Sequence, residues 1–237
     1  MGRMAGAVVL AAMCAGCATV PSSNPRDPLE AWNRGAFAFN TDLDRVVFVP
    51  VATAYRELTP RFVRTGVGNF FGNLEDVWSF VNSVLQGKPT PAANNFFRVA
   101  VNTTFGLAGV LDVASEMGLE RQREDFGQTL GWWGMPSGPY LVLPFFGSST
   151  IRDTAAMPVD WAGDIVGNVD HVPTRNSLKA LDLLDTRAGL LRAGTVIDEA
   201  ALDRYTFTRD AYLQRRANLV FDGNPPPQDG SQGGEAR

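Results

Sequence analysis

Cysteine and histidine are nearly missing from this 237-residue chain, which has two cysteines, Cys14 and Cys17, and one histidine, His171. That excludes a disulfide framework and a His/Cys metal centre, and no cofactor is expected. Charge is sparse as well. Asp, Glu, Lys and Arg make up 19% of residues, against about 25% in an average soluble protein. The net charge of -4 gives no basic face for nucleic acid. No stretch reaches 18 uninterrupted apolar residues, so a conventional membrane-spanning helix is not predicted. No alternating apolar–polar run is long enough to suggest a sheet. Apolar surface is plentiful: 45% of residues are hydrophobic, with 15 Phe and 5 Trp, enough to build a sizeable core.

Residues 1–17 read MGRMAGAVVLAAMCAGC. A positive start and a short apolar run, too brief to cross a bilayer, predict a signal peptide over 1–16. The run ends Cys14-Ala15-Gly16-Cys17. This resembles a bacterial lipobox, with Cys14 where Leu is usual; the alternative is an ordinary cleavage site beside a coincidental cysteine. Processing before Cys17 discards Cys14, and acylation of Cys17 leaves no free thiol, so thiol catalysis is excluded. By the usual sorting rule, Ala18 rather than Asp after the lipidated cysteine directs such a protein to the outer membrane. Residues 17–26 form the tether, and the low-complexity tail 223–237 reads as disordered.

Between them, residues 27–222 read as one all-α domain of six to nine helices, many short, with no sheet and no repeat. Asp27-Pro28-Leu29-Glu30 has the cap, proline and acid of a helix start. Pro50 breaks an apolar run, and Thr59-Pro60 opens a helix. Asn73 caps another, with Leu74, Val77, Trp78, Val81 and Leu85 on its core face, closed by Gly87. Asp125 begins a brief helix and Ser149 one to about 157. Further helices are expected over 175–193 and 198–221. Residues 134–139 (GMPSGP) cannot be regular structure, and 140–146 (YLVLPFF) are apolar on both faces. Phe70, Phe71, Trp78 and Phe80 do not share one stripe, which fits either a tight core or helix sides facing lipid.

No catalytic constellation emerges. Asp125-Phe126-Gly127 matches the metal-binding tripeptide of kinases, but none of its partner motifs is present. Gly66-Val67-Gly68 lacks the third glycine of a dinucleotide turn. Asp125, Asp153 and Asp160 could be imagined as a carboxylate site, but a helix cap and an arginine partner explain the first two better. His171 reads as a local hydrogen-bond partner.

Several blocks carry a resemblance: Asp27-Pro28-Leu29-Glu30-Ala31-Trp32-Asn33-Arg34, Asn69-Phe70-Phe71-Gly72-Asn73-Leu74-Glu75, Asn102-Thr103-Thr104-Phe105-Gly106, Asp125-Phe126-Gly127-Gln128-Thr129-Leu130-Gly131, Gly138-Pro139-Tyr140 and Arg209-Asp210-Ala211-Tyr212. In this order, over about 27–216, they resemble the MlaA (VacJ) lipoprotein family. The resemblance implies a non-enzymatic, ring-shaped helical protein embedded in the inner leaflet of the Gram-negative outer membrane. An amphipathic channel would take mislocalised phospholipid from the outer leaflet to a soluble periplasmic lipid carrier, and a trimeric porin would be a partner. On that reading Gly134, Gly138, Pro139 and Tyr140 form a hinge or lipid path. Phe70, Phe71, Trp78 and Phe80 are leaflet-facing candidates. Asn33, Asn69, Arg98 and Asn102 either serve headgroups or meet helix ends. A lipid hydrolase and a structural envelope lipoprotein are the competing readings.

Overall fold

Thr59 precedes a proline and is therefore pushed to extended backbone. It ends one helix, and the proline behind it starts the longest well-packed one. The computed structural model describes residues 27–226, except the side chains of 195–200. The signal peptide, Cys17 with its tether, and the tail from 227 lie outside the described residues. Within them the order is α1 (Glu30–Leu43), a π-helical turn (Asp44–Phe48), α2 (Val49–Leu58), α3 (Arg61–Leu85), α4 (Pro89–Thr104), α5 (Val113–Glu116), α6 (Phe126–Trp132), β1 (Tyr140–Leu143), β2 (Gly147–Thr150), α7 (Ile151–Gly163), α8 (Val172–Ala200) and α9 (Arg204–Val220). The helical class is as expected. α3 packs along α4, α2 along α8, and α6 against α7.

Local signals explain several ends and misled at others. Gly87, at φ 68°, closes α3, with Lys88 N–H returning to the Ser83 carbonyl at 3.0 Å. Asp125 caps α6 through Gln128 N–H at 2.8 Å. Asn73, expected to start a new helix, instead sits inside α3, because its amide donates to Thr103 of α4 at 3.0 Å and is not free to cap. Thr150, not Ser149, caps α7, which runs through Pro158 to Gly163. Pro50 occupies the first turn of α2, where its missing N–H costs nothing, and the π-helical turn precedes it. Asp27 does not cap α1; its buried carboxylate takes Asn33, Tyr205 and Arg209.

The expectation of no sheet is corrected by one antiparallel hairpin, in which Tyr140 pairs with Thr150 and Leu143 with Gly147. Its free edge is met by side chains of α1. Asn33 donates to the Tyr140 carbonyl at 3.0 Å and accepts Val142 N–H at 2.7 Å. Asn40 likewise donates to Leu143 and accepts Phe145 N–H. Side-chain amides replace a third strand, so a pair that would be marginal alone is held.

Among the described residues, buried polar and charged side chains outnumber buried apolar ones. On α3 the polar residues that face inward are Asn73, Asp76, Ser79, Asn82 and Ser83, followed by Gln86 at its C-cap, with Phe71 beside them. Leu74, Val77, Trp78, Val81 and Leu85, expected to be the core face, are half-buried or exposed. Arg98 of α4 lies at 0% exposure. Its five N–H donors meet Asp76, Ser115, the Leu119 carbonyl and both oxygens of Asp112, at 2.6–3.1 Å. Burial pushes the Asp76 carboxyl up, against the pull of Arg121 and Arg98. Burial also opposes charge on Asp112, but hydrogen bonds from Ser115, Asn102 and Arg98 outweigh it and hold that carboxyl well below the usual range.

Removing one member of a buried pair strands the other charge, at a cost of about 3–5 kcal/mol. Arg98→Ala is therefore expected to lower stability by that order in chemical unfolding of detergent-solubilised protein. Arg34→Ala breaks exposed pairs with Glu30 and Asp203 and a stacking contact over the Tyr205 ring at 4.5 Å, and is expected to cost about 1 kcal/mol, well below Arg98→Ala. Equal effects would refute the structural weight given to Arg98.

Candidate functional site

The hinge candidates fall between two pinned ends. After α6, Gly134 N–H and Met135 N–H return to the carbonyls of Gly131 and Leu130. Before α7, Ser137 and Pro139 carbonyls accept Arg152 and Ile151 N–H. Gly134 and Gly138 both have positive φ, 95° and 68°, which only glycine adopts cheaply. The space around Gly134 is open, whereas a Cβ on Gly138 would lie 3.2 Å from Ile151. A cleft of about 680 Å³ separates Gly134, Gly138 and Pro139 from Leu213, Ala217 and Val220 of α9. Tyr140 is not part of this cleft. It is fully buried against Tyr205 and Tyr212, with its hydroxyl 2.7 Å from Ser148.

The four leaflet-facing candidates separate. Phe71 is 4% exposed, so its outward-facing assignment is corrected: it sits at the inner face of α3. Phe70, half-buried, stacks edge-on to it at 5.3 Å. Phe80, also half-buried, meets Phe96. Trp78 turns its indole N–H to Asp160 at 2.8 Å, and its ring fills the place where a Cβ on Gly163 would stand. The aromatics that do face outward are others: Phe62 (78% exposed), Phe145 (72%), and Phe96, Phe97, Phe105, Phe146 and Trp133. Adjacent pairs were the overlooked signal. Neighbouring residues on a helix point about 100° apart, so Phe96-Phe97 and Trp132-Trp133 cannot both enter one core.

A second cavity, about 490 Å³, opens beside Trp78 between α3, α6, α7 and α8. Trp161, Met157 and Ile165 share its apolar wall, and Glu75, Asp164, Asp182 and Arg123 its polar rim. None of the last group except Arg123's neighbour Glu75 lies in a block singled out from the sequence. Arg123 pairs with Glu75 at 3.3 Å and Lys179 with Asp164 at 3.0 Å. Helix α6 divides this cavity from the hinge cleft: Gln128 lines one and Gly131 the other.

The carboxylates weighed for catalysis have structural partners. Arg216 reaches Asp125 at 2.5–2.6 Å and Asp153 at 2.9 Å. Burial opposes charge on Asp125, and Arg216 overrides it and lowers that carboxyl. Asp160 accepts Trp78 and Phe126 N–H, and burial pushes it up. His171 is exposed and contacts Thr174 at 2.7 Å. Asn33, Arg98 and Asn102 are buried in the polar interior, and Asn69 donates to the Val110 carbonyl. The three buried ones have no surface to offer a headgroup. Among the described residues no group of three His, Cys, Asp or Glu is placed to hold a metal ion, and no helix is long and apolar enough to cross a membrane.

Comparison with known proteins agrees with this architecture. Residues 25–219 match the family model of the MlaA lipoprotein. The proteins named "Intermembrane phospholipid transport system lipoprotein MlaA" from Escherichia coli K12 and Shigella flexneri are each 34% identical over 233 residues, covering 96% of this chain and 92% of theirs. A solved structure described as "Structural basis for maintenance of bacterial outer membrane lipid asymmetry" superposes with a TM-score of 0.72 at 35% identity, over 82% of this chain and 98% of its own. The chain belongs to the MlaA lipoprotein family.

Proposed function

We propose that the chain is a non-enzymatic lipoprotein of an intermembrane phospholipid transport system. It is anchored by acylated Cys17, seated in the inner leaflet of the outer membrane, and moves mislocalised phospholipid from the outer leaflet toward a periplasmic lipid carrier. The names of its relatives support the transport role. The single observation that carries the membrane seating is the inverted distribution of side chains: a polar interior and aromatics on the outside. In water each exposed apolar Å² costs about 25 cal/mol, and acyl chains remove that cost without a spanning helix. A net charge of -4 is repelled by anionic lipid, so seating rests on apolar contact rather than on charge. A trimeric porin is the expected membrane partner, and the outward aromatics supply area for it as well as for lipid.

The lipid path in this reading is amphipathic. α6 offers one side to the hinge cleft and the other to the Trp78 cavity. Residues 134–139 are its movable part, because two positive-φ glycines and two prolines leave that backbone outside helix and strand. No step breaks or forms a covalent bond, so His171→Ala is expected to leave transport unchanged.

Two outcomes test this. Cys17→Ala is expected to lack acyl mass by mass spectrometry and to leave the outer-membrane fraction, yet to need detergent to stay monodisperse. A stable monomer in plain buffer counts against leaflet seating, because exposed apolar area would then stay within the ~300–600 Å² patch of an ordinary monomer. For the gate, Ala217→Trp narrows the hinge cleft from α9, and Gly134→Ala disfavours the positive φ at the start of the segment. Both are expected to slow clearance of outer-leaflet phospholipid by about 10-fold or more, a barrier change of roughly 1.4 kcal/mol, at normal protein abundance. Loss of abundance with full specific clearance would reduce 134–139 to a structural turn.

A further inference from the structure

The tip of the hairpin carries two phenylalanines that the fold does not bury. Phe145 is 72% exposed and Phe146 61%. Phe145 also has a φ of 69°, left-handed backbone that favours glycine, asparagine or aspartate over an aromatic. In water one of those would fill the position better, because an exposed ring repays little of the strain. Yet the tip is held firmly. The Asn40 amide donates to the Leu143 carbonyl at 2.9 Å and accepts the Phe145 N–H at 2.8 Å. Pro144 has no N–H and a fixed φ, and Phe39 of α1 stacks edge-on to Phe145 at 5.2 Å. Neighbouring rings continue the surface. Phe146 meets Trp161 of α7 at 5.8 Å. Trp32 lies about two turns before Phe39, and so on the same side of α1, and gives its indole N–H to the Val142 carbonyl at 3.2 Å. Trp32, Phe39 and Trp161 are exposed as well.

We propose that the tip, Pro144-Phe145-Phe146, is a rigid wedge that enters the acyl-chain region of the leaflet, with Trp32, Phe39 and Trp161 as its collar. This rests on the leaflet-seating reading and names a part of the surface that enters. Two observations select acyl chains over water or a protein partner. The first is charge. No Asp, Glu, Lys or Arg stands between Asp125 and Arg152, and Arg152 is buried, so the hairpin brings no charge of its own into hydrocarbon. Asp160, next to Trp161, faces Trp78 and the Phe126 N–H. Asp42, about one turn beyond Phe39 and exposed, marks the polar edge of the patch. The second is hydrogen bonding. A polar group taken into acyl chains has to be paired inside the protein, and at the bend Asn40 pairs the Phe145 N–H and the Leu143 carbonyl. A tryptophan at headgroup depth keeps its polar end for that layer, whereas the Trp32 N–H is spent on Val142. A protein interface uses about one hydrogen bond per 100–200 Å², and this surface presents rings with their neighbouring donors turned inward.

The test uses the full-length lipidated protein in phosphatidylcholine vesicles. Acylation of Cys17 leaves no other thiol, so Phe145→Cys gives a single site for a nitroxide label. The label is expected to be relaxed by oxygen, which concentrates among acyl chains, and to lose contact with a water-soluble nickel chelate. Phe146→Cys lies outside the left-handed backbone and is expected to give the same result, which keeps the test open if Phe145→Cys folds poorly. Phe62→Cys, an exposed aromatic of α3, reports on seating apart from the hairpin. Nickel contact at 145 and 146 with oxygen contact at 62 overturns the wedge and leaves the leaflet seating intact. Nickel contact at all three positions overturns the seating with it. Loss of oxygen contact at 145 when a purified trimeric porin is added makes the occupant a protein and overturns the lipid assignment.

Discussion

A guanidinium with no solvent contact needs an acceptor for every N–H, and at Arg98 each is found within the fold. Those acceptors come from α3, from the cap of α5 and from the carbonyl of Leu119, so one side chain fixes three segments at once. Asp76 passes the constraint on by pairing with Arg121 at 3.0 Å. The Arg121 guanidinium lies where a Cβ on residue 72 would stand, so α3 must carry glycine there. With 119–121 held, Glu124 is brought to Gln86 and Lys88 at 2.9 and 3.3 Å. Asp125 then caps α6 one residue later. The helix that separates the two cavities is thus placed by a chain of buried polar contacts that starts at Arg98.

A polar interior has a consequence for the outside. A helix side buried by Asn, Asp and Ser leaves its Leu, Val and aromatic residues for the other side, as on α3 and α4. Such helices do not gain stability from water in the ordinary way, because their apolar area stays exposed. They gain it from hydrogen bonds inside and, on the proposed reading, from lipid outside. On that reading the arrangement also accounts for the low charge content, since a surface facing acyl chains has little place for solvated Lys and Glu.

The helical class and the ends set by strong local chemistry were legible: Gly87 after α3, Asp125 before α6, Thr59 before Pro60. The hairpin was not, because its strands are four residues each and β2 reads Gly-Ser-Ser-Thr, with no alternation to detect. Its third partner is a pair of asparagines from α1, about a hundred residues away. The core face of α3 was assigned to the wrong side for a plain reason. Asn73, Asp76, Ser79, Ser83 and Gln86 recur at helical spacing, and a polar stripe at that spacing reads as the solvated face unless the surroundings are apolar. Phe71 was misassigned with it. Gly134 and Gly138 were visible as turn residues, whereas the cavity beside Trp78 gathers residues from four helices and leaves no local trace.

The placement of α6 also decides how segment 134–139 is restrained. Its N-terminus is stapled by Arg216, which bridges Asp125 and Asp153 and so ties α6 to both α7 and α9. Glycine at 127 and 131 keeps the helix close to those arginines: a Cβ at 127 would meet Arg216, and one at 131 would meet Arg152. A rigid-body swing of α6 would have to break this network of buried ion pairs. Beyond Trp133 the restraints thin out. Gly134 has open space around it, and Met135 is tied mainly through its backbone to Leu130 and weakly to Arg152, at 3.4 Å. Any change in the cleft against α9 therefore begins at Gly134 and ends at the Ser137 and Pro139 contacts with α7. The wall shared with the Trp78 cavity is held by those ion pairs, so any such change leaves it in place.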